Sequence, residues 1–333
     1  MAAGFKQATV NASDVPATLT DYPAYVDLSR LGITTLAEAE SVRVYADSGK
    51  TTEWAREIVS ATEMHVKIPS LTSSTVIYVD WDGVRADYAV GATYGRNAVW
   101  TSFAYVAHME DTENSTGGTD LTNTGSTPFG AGYIGNAAEF NGINDRRLGL
   151  TTNNLSWNAS NDYTWSMWLN INSFTNGWYV HHGTTTGANR TIYLGTQDFS
   201  GNIIGVYCAG FATGNKLLSG TLSTATDYKV EVVKTGTTYE MFINNSSVDT
   251  ATSGTYGESN NAISLGTTQG GFGVNRMNGD MDEFRTTTTA LSANWRTTEY
   301  NNQSDEAGFW GTWTDAGGGG GTPYRSQFRA VRL

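Results

Sequence analysis

The sequence contains few of the residues on which several protein classes depend. Its 333 residues include a single cysteine and four histidines. One cysteine excludes an intrachain disulfide, and one thiol with four scattered histidines offers no zinc-binding motif. Cys208 lies in the apolar stretch GNIIGVYCAGF, which predicts a buried structural thiol. Charged residues make up only 16% of the chain, which is low for a globular protein.

Long apolar runs and positive charge are also lacking. No segment approaches the roughly 20 apolar residues that cross a bilayer. The opening MAAGFKQATVNASD has neither the basic nor the apolar region of a secretory signal, which predicts synthesis in a reducing cytoplasm. The formal net charge is −12 and the pI about 4.7. Nucleic-acid binding and membrane insertion are therefore not expected.

What the chain has in abundance is typical of an all-β protein. It contains 38 glycines and 12% aromatic residues, and segments such as SVRVYAD (41–47) and DYTWSMWLNI (162–171) alternate with the period of two that marks half-buried strands. We predict a small antiparallel β-sandwich over residues 1–95, a second all-β domain over 96–310 and a glycine-rich tail over 311–333. Ser292 is predicted to cap a helix over ANWRTTEYNN.

Four stretches of the second domain carry a family resemblance. They are GNAAEFNGIND (135–145), YTWSMWLNI (163–171), YKVEVVKTGTTYEMFINNSSV (228–248) and MNGDMDEFRTTTTALSANW (277–295). In this order they resemble the laminin-G-like, concanavalin A-like jelly roll, which implies a two-sheet sandwich. In the first domain, VPATLTDYPAYVDLS (15–29) and VKIPSLTSSTVIYVDWDG (66–83) resemble a bacterial and phage domain of unknown function that precedes such jelly rolls.

The stretch MNGDMDEFR (277–285) places three carboxylates within four residues. Strand alternation predicts that Asp280 and Asp282 share one face and that Glu283 points to the other. Two carboxyl groups flanking a sugar bond are the machinery of a glycosidase, but here the third carboxylate is displaced. A structural role at the strand edge is favoured, no catalytic residue is assigned, and calcium binding and glycoside hydrolysis stay open as alternatives.

Calcium is the one cofactor considered, because hard oxygen ligands suit this ion. The residues that could supply oxygen donors at a sandwich rim are Asn141, Asp145, Asp280 and Asp282. No EF-hand spacing is present, so the pattern alone does not specify a site.

The loop 172–190 is the predicted ligand surface. It crowds aromatic, histidine and arginine side chains among glycine, threonine and asparagine, a mixture that suits a shallow glycan site. The candidate residues are Trp178, Tyr179, His181 and Arg190. The competing interpretation is that GWYVHHG forms the next strand, with Trp178 and Val180 packed inside, and this interpretation is favoured.

The C-terminal segment is predicted to be a docking peptide on a flexible tether. Five consecutive glycines (317–321) precede TPYRSQFRAVRL, which has no acidic residue although the whole chain is acidic. Its aromatic and arginine side chains could dock on an acidic groove or sheet edge. They are Tyr324, Arg325, Phe328, Arg329 and Arg332.

These features favour a non-enzymatic structural protein of a bacteriophage virion, either a capsid-decoration, head-fibre or tail-fibre component. The expected partners are other virion proteins and further copies of the chain. The outward jelly roll is expected to bind host-surface glycans. The alternative is a secreted carbohydrate-binding module or a glycoside-hydrolase-like enzyme, for which a leader segment would be expected.

Overall fold

The computed structural model describes most of the chain between residues 3 and 317. Within that range the description excludes 144–145, 151–154, 156, 158–159, 176, 184–189, 197–200, 209–215, 255–262 and 268–275.

The first domain is built from seven short strands and two short helices, with 3-10 turns at Ala12–Asp14 and Leu28–Leu31. Its strands are Gly4–Thr9 (β1), Leu19–Asp27 (β2), Arg43–Tyr45 (β3), Glu53–Trp54 (β4), Arg56–Ile58 (β5), Glu63–Leu71 (β6) and Val76–Trp81 (β7). Its helices are Leu36–Glu40 (α1) and Arg96–Val99 (α2).

Two sheets of this domain enclose one apolar core. One sheet has the order β2-β6-β5, and the other includes β1-β7-β3-β4. Along β2 every second residue from Tyr22 to Val26 is buried, as a strand with one face on the core requires, and Pro23 is buried as well. The core formed by the two sheets includes Val44 and Ile68, both fully buried.

The second domain is a larger sandwich of strands between residues 105 and 287. They are Tyr105–Ala107 (β8), Thr122–Thr124 (β9), Phe129–Ala131 (β10), Asn136–Asn141 (β11), Arg147–Leu150 (β12), Tyr163–Ser173 (β13), Trp178–Gly183 (β14), Arg190–Gly195 (β15), Gly205–Cys208 (β16), Leu217–Leu218 (β17), Asp227–Thr235 (β18), Thr238–Ile243 (β19), Ser246–Thr252 (β20), Ile263–Leu265 (β21) and Asn278–Thr287 (β22).

These strands form two antiparallel sheets packed face to face. One has the order β10-β11-β22-β13-β18-β19-β20, with β8 also paired to β22, and the other has the order β17-β16-β15-β14-β21-β12-β9. Alternate residues of β13, such as Trp165 and Met167, enter the core between the sheets, where Cys208 is also buried. The all-β prediction is confirmed, and the thiol is buried as expected.

The chain then returns to the first domain, which differs from the predicted boundaries. Two helices, Ala293–Ser304 (α3) and Glu306–Trp310 (α4), lead to a last strand, Thr314–Asp315 (β23). As predicted, Ser292 caps α3, since its side chain accepts a hydrogen bond from the Trp295 backbone N–H. None of the helices in the described ranges is long and apolar enough to span a membrane.

The C-terminal return completes the core of the first domain. Strand β23 pairs with β1, and the side chains of Phe309, Trp310 and Trp313 belong to the first domain's core. The predicted division at residue 310, with a free tether from 311, is therefore wrong for residues 311–315, because Trp313 buries its ring against the first sandwich.

Candidate functional site

Strand β22 contains a bulge that changes which of its carboxylates share a face. Opposite it on β13, Trp168 pairs with Asp282 and Ser166 pairs with Arg285, so three steps on β22 match two on β13. Glu283 has a φ of 53°, a left-handed conformation that suits the extra residue of a bulge. Its carboxylate contacts Arg285. The prediction that Glu283 faces away from Asp282 is therefore wrong.

The core-facing side chains of β22 show the effect of the bulge. Met281 and Phe284 both enter the core between the two sheets, although they lie three residues apart. Asp280, Asp282 and Glu283 therefore lie together on the outer face of the eight-stranded sheet. This outer face is partly covered by the first domain and by α3, and partly open.

The open part of the outer face is a groove of about 180 Å³. Across neighbouring strands, Asp280 of β22 pairs with Asn170 of β13, which pairs with Asp227 of β18. The Asn170 side-chain amide donates a 2.8 Å hydrogen bond to Asp227. Glu139 of β11 extends the row beyond Asp280. The groove is lined by Ala131, Gly132, Tyr133, Ala137, Trp168, Leu169, Asn170, Asp227, Asp280 and Asp282.

An aromatic stack forms one wall of the groove. The Tyr133 and Trp168 rings are nearly parallel, with centroids 3.7 Å apart and planes at 15°. The Trp168 ring is fixed by helix α3, because its indole N–H donates a 2.9 Å hydrogen bond to the Gln303 side chain. Tyr133 remains 37% exposed. A rigid aromatic surface therefore faces solvent beside the row of amide and carboxylate groups.

Only part of the acidic lining is accessible. Burial raises the pKa of Asp280, and the nearby Glu139 and Asp227 carboxylates add to the effect. Asp282 is 2% exposed, and its Oδ2 accepts a 2.7 Å hydrogen bond from the Ile134 backbone N–H. Burial, together with the charge of Glu283, raises the pKa of Asp282 well above its usual range.

Beneath the covered part of the outer face lies a junction cluster, defined as Glu63, His65, His108 and Glu283. Strand β6 supplies the first pair, the segment after β8 supplies His108, and the bulge supplies Glu283. One ligand-type atom from each residue lies within 4.8 Å of all the others. His65 Nε2 is 3.1 Å from Glu63 Oε1, and His108 Nδ1 is 2.5 Å from Glu283 Oε1. All four side chains are buried.

A second carboxylate orients His108. Its Nε2 lies 3.2 Å from Glu57 Oε2, so the imidazole ring is held between Glu57 and Glu283. Glu57 also accepts a 2.6 Å hydrogen bond from the Ser115 hydroxyl and one from the Trp100 indole N–H. Burial alone would lower the pKa of His108, but the charges of Glu283 and Glu57 outweigh it and raise the pKa well above its usual range.

The cluster continues into a chain of buried ion pairs. Arg285 contacts Glu283 and donates a 3.0 Å hydrogen bond to Glu299 of α3. Glu299 in turn pairs with Lys229 of β18 at 2.9 Å. Burial raises the pKa of Glu283, but Arg285 and His108 outweigh this effect and hold the pKa well below its usual range. The chain of charges links the first domain, the jelly roll and α3.

The predicted glycan loop lies elsewhere and is largely inaccessible. GWYVHHG is strand β14, and Trp178, Tyr179 and His181 are 2%, 0% and 0% exposed. The backbone of Arg190 begins β15, and the loop between these strands, 184–189, lies outside the described residues. Trp178 stacks on His181 and Tyr193. These buried rings offer no face to a sugar, so the structure contradicts this placement of the site.

The three predicted calcium donors that the structure describes, Asn141, Asp280 and Asp282, do not converge on one point. Asn141 pairs with Asn278, four residues along β22 from Asp282, which separates them by roughly 13 Å at the rise of a strand. Calcium ligands lie about 2.3–2.6 Å from the ion, so these two residues cannot share one. Asp280 and Asp282 both line the groove. Asp145 lies outside the described residues, as do the docking-peptide residues Tyr324, Arg325, Phe328, Arg329 and Arg332.

His182 of β14 gives the protein an acid-sensitive position away from the junction. It is 0% exposed, and burial lowers its pKa to about 4. The folded state therefore binds fewer protons than the unfolded state between pH 4 and 6.5. The neutral His182 ring therefore contributes its full share to the free energy of unfolding above pH 6.5. Between pH 6.5 and pH 4 this share falls by about 1.4 kcal/mol per pH unit. His182→Asn is expected to flatten this part of the pH profile.

Denaturant unfolding of the wild type and His182→Asn across this pH range checks the prediction. The difference between the two profiles isolates His182 from the other titrating groups. Parallel profiles for the two proteins would contradict the assignment.

The fold and the site define the second domain as a lectin-like β-sandwich with a polar groove on its outer face. Residues 144–295 match a sequence model described as the Concanavalin A-like lectin/glucanases superfamily. Residues 144–295 of the chain are thus similar to this superfamily, in line with the sequence resemblance. No curated protein matches the chain.

Three of the solved structures that resemble the chain illustrate the likeness. One is domain 4 of AbnA, an extracellular GH43 arabinanase from Geobacillus stearothermophilus, in complex with arabinotriose. It is 18% identical over 60% of this chain and 98% of that chain, with a TM-score of 0.47. The binding domain of Paraclostridial Mosquitocidal Protein 1 is 13% identical over 60% of this chain and 52% of that chain, with a TM-score of 0.48. The binding domain of botulinum neurotoxin serotype D is 13% identical over 61% of this chain and 51% of that chain, with a TM-score of 0.47.

The chain spans about half the length of the two toxin binding domains. The assignment of the second domain rests on the matched family and on its two packed sheets.

Several residues of the groove and the junction were missed by the sequence analysis. Tyr133, Asn170 and Asp227 lie in three separate segments, and only the strand pairing brings them to one groove. The alternation of DYTWSMWLNI puts Trp168 and Asn170 on the face opposite Trp165 and Met167, which was a usable signal. No comparable signal exists in the sequence for the approach of His65 to His108.

Proposed function

We propose that this chain is a non-enzymatic structural protein of a bacteriophage virion whose jelly roll binds host-surface glycans in the groove. The observation that carries the glycan site is the exposed Tyr133 ring, stacked on Trp168 beside the Asp280–Asn170–Asp227 row. Aromatic faces pack against the apolar faces of sugar rings, and amide and carboxylate groups bond the hydroxyls. The likeness of residues 144–295 to the superfamily agrees with this role.

The charge of the groove favours a neutral glycan. Asp227 and Asp280 line it, and Glu139 lies next to Asp280 across the strand pair. The lining contains no lysine, arginine or histidine among the described residues. Carboxylates accept hydrogen bonds from sugar hydroxyls but repel the carboxylates of uronic and sialic acids. The preferred ligand is therefore a neutral, hydroxyl-rich saccharide.

The accessibility of the carboxylates supports binding without hydrolysis. Glycosidases generally use two carboxyl groups, one on each side of the scissile bond. Asp282 is the near neighbour of Asp280, but its Oδ2 is bonded to the Ile134 backbone and its Oδ1 is buried. Asp227 is engaged by Asn170. Neither Asp282 nor Asp227, the other carboxylates that line the groove, is thus free to act with Asp280 on a glycosidic bond.

Groove variants are expected to lose glycan binding. A shallow site gives roughly millimolar to micromolar affinity, or about −4 to −8 kcal/mol, so multivalent protein on a glycan array is the suitable assay. Tyr133→Ala removes the stacking surface, and Asn170→Ala removes the central amide. Each is expected to abolish the array signal. Asn202→Ala, at an exposed asparagine outside the groove, is the matched control and keeps the signal.

Two outcomes would contradict this assignment. One is an array on which the wild type binds no glycan, either with calcium or with EGTA. Retention of the wild-type hits by both groove variants under these conditions has the same meaning. The other is that the wild type releases reducing ends from a glycan and that Asp280→Asn does not. This result would favour the alternative of a secreted carbohydrate-active enzyme. The EGTA arm also decides whether calcium contributes.

The virion assignment is supported by the resemblance of the first domain and by the polar, glycine-rich all-β composition. Its location is a capsid-decoration, head-fibre or tail-fibre position, with other virion proteins and further copies of the chain as partners. Mass spectrometry of purified particles tests this directly, because a virion protein is recovered at a fixed copy number. Absence from the particles would overturn the assignment.

The C-terminal peptide is expected to fasten the protein to the particle. Residues 322–333 carry three arginines and no acid on a chain whose net charge is −12. The described folded core ends near Asp315 of β23, so deletion of 317–333 is expected to leave both domains folded. The truncated protein should bind glycans but no longer join particles. Incorporation at the normal copy number would show that another surface is the anchor.

A further inference from the structure

We propose that the junction cluster is a structural zinc site formed by Glu63, His65, His108 and Glu283. Two imidazole nitrogens and two carboxylate oxygens are a donor set that Zn²⁺ accepts in four-coordinate sites. The four residues come from both domains, so an ion here would join the first sandwich to the jelly roll. This role is independent of glycan binding in the groove.

The separations of the donor atoms fit a small tetrahedral ion. Zinc bonds of about 2.0–2.1 Å separate neighbouring donors of a tetrahedron by roughly 3.3 Å. Glu63 Oε1 lies 3.1 Å from His65 Nε2 and 3.5 Å from His108 Nδ1. Glu283 Oε1 lies 3.9 Å from His65 Nε2 and 2.5 Å from His108 Nδ1. These values scatter around the tetrahedral edge.

The binding of zinc requires a small adjustment of the cluster. The His65 and His108 rings lie 19° from parallel, with centroids 4.5 Å apart. An ion in the plane of both rings therefore needs one ring to turn, and the His108–Glu283 pair must open by somewhat less than 1 Å to reach the tetrahedral edge.

The local charge balance also favours a cation. Glu63 and Glu283 are each 1% exposed and face each other across the cluster. Arg285 contacts Glu283, whereas Glu63 Oε2 is buried with no hydrogen-bond partner in the part of the chain that the structure describes. A buried, unpaired carboxylate oxygen is costly. Binding of a dication would release the proton that His108 carries, and the ion would then balance the charges of two carboxylates beside two neutral imidazoles.

The surroundings of His108 have the form of a metal-site outer shell. In a histidine that binds a metal, the other ring N–H usually donates a hydrogen bond to a carboxylate or carbonyl. This bond fixes the tautomer and the ring orientation. His108 presents Nδ1 to the cluster and Nε2 to Glu57, at 3.2 Å. Glu57 is itself fixed by Ser115 and Trp100. The other oxygen of Glu283 is held by Arg285.

The closed geometry assigns the ion a structural role. The ligands are 0–4% exposed and all four positions are filled by side chains. Catalytic zinc sites keep a position open for water or substrate, whereas structural sites do not.

Zinc content of the full-length chain tests the proposal. The protein is produced in zinc-supplemented medium with a tag free of histidine, desalted, and measured by inductively coupled plasma mass spectrometry. We expect close to one zinc ion per chain. Glu63→Gln and His65→Asn should lose the ion. Glu57 positions His108, so Glu57→Gln should weaken zinc affinity by roughly 10–100-fold. His182→Asn, at a buried histidine outside the cluster, is the control and keeps its zinc.

Two readouts separate a metal site from a purely structural ion-pair cluster. A strong chelator should lower the melting temperature of the wild type but leave that of Glu63→Gln unchanged, because a bound ion stabilises the native state. Cobalt(II) in place of zinc should give the visible absorption of a tetrahedral site. Wild-type protein that retains no zinc after incubation with excess ion and desalting overturns the proposal, whether or not the variants fold.

Discussion

Replacing Arg285 with methionine is expected to lower the free energy of unfolding by about 3–5 kcal/mol. The guanidinium is 1% exposed and pairs with Glu283 and Glu299, which are buried as well. It also lies over the Trp100 ring, with Cζ 4.8 Å from the centroid. Removal of the cation would leave each of two buried carboxylates with one cationic partner fewer, Glu283 with His108 and Glu299 with Lys229, which costs far more than the loss of a surface pair.

Chemical denaturation followed by tryptophan fluorescence measures this effect. Arg85→Met is the matched control, since Arg85 pairs with Asp80 and Asp82 but is 29% exposed. An exposed pair contributes about 1 kcal/mol or less, so the control should remain close to the wild type. Equal effects of the two substitutions would contradict the interpretation that buried charge holds the junction together.

Trp310→Ala is expected to destabilise the first domain by about 3–5 kcal/mol, as removal of a large buried side chain does. Trp310 is fully buried in the core of the first sandwich, although it lies far along the chain from the strands of that domain. Its indole N–H also donates a 2.8 Å hydrogen bond to the backbone oxygen of Tyr25 in β2. The substitution leaves a cavity and removes one of two side-chain hydrogen bonds to the Tyr25 carbonyl, which also accepts a 3.0 Å hydrogen bond from the Asn302 amide.

The deletion of 317–333 provides the control for this prediction. It removes the end of the chain but keeps Trp310, Trp313 and β23, so its unfolding transition should match that of the full chain. Calorimetry of the two proteins shows which transition moves. If Trp310→Ala unfolds like the full chain, the C-terminal return does not contribute to the first domain.

The two effects together describe how the groove is supported. Helix α3 carries Gln303, which holds Trp168 beneath Tyr133, and also Glu299, which pairs with Arg285. The segment after α3 continues into the first domain's core. The aromatic wall of the groove therefore rests on the helix that links both domains, and loss of the junction is expected to loosen the glycan site as well.

Local patterns determined much of the fold. Alternating segments specify strands because successive side chains point to opposite faces, and so DYTWSMWLNI could be oriented from its sequence alone. Ser292 could be assigned as a helix cap, because its hydroxyl accepts from a backbone N–H three residues away. The order of motifs was sufficient to indicate the jelly roll. Each of these inferences depends on neighbours in the sequence.

The groove and the junction were decided only by tertiary structure, because their residues meet across long separations in the chain. The alternation rule failed at Glu283, since the register against β13 and β8 inserts an extra residue there and turns its carboxylate to the outer face. His65 and His108 appeared too scattered to bind a metal, yet the packing of the two domains brings their rings together. Sequence favoured a strand over a ligand loop for GWYVHHG, and the structure decides between the two, because β15 and β21 pair with β14 and Trp178 is buried. Local sequence encodes which face a side chain takes along a regular strand, whereas burial and proximity depend on partners that only the folded chain supplies.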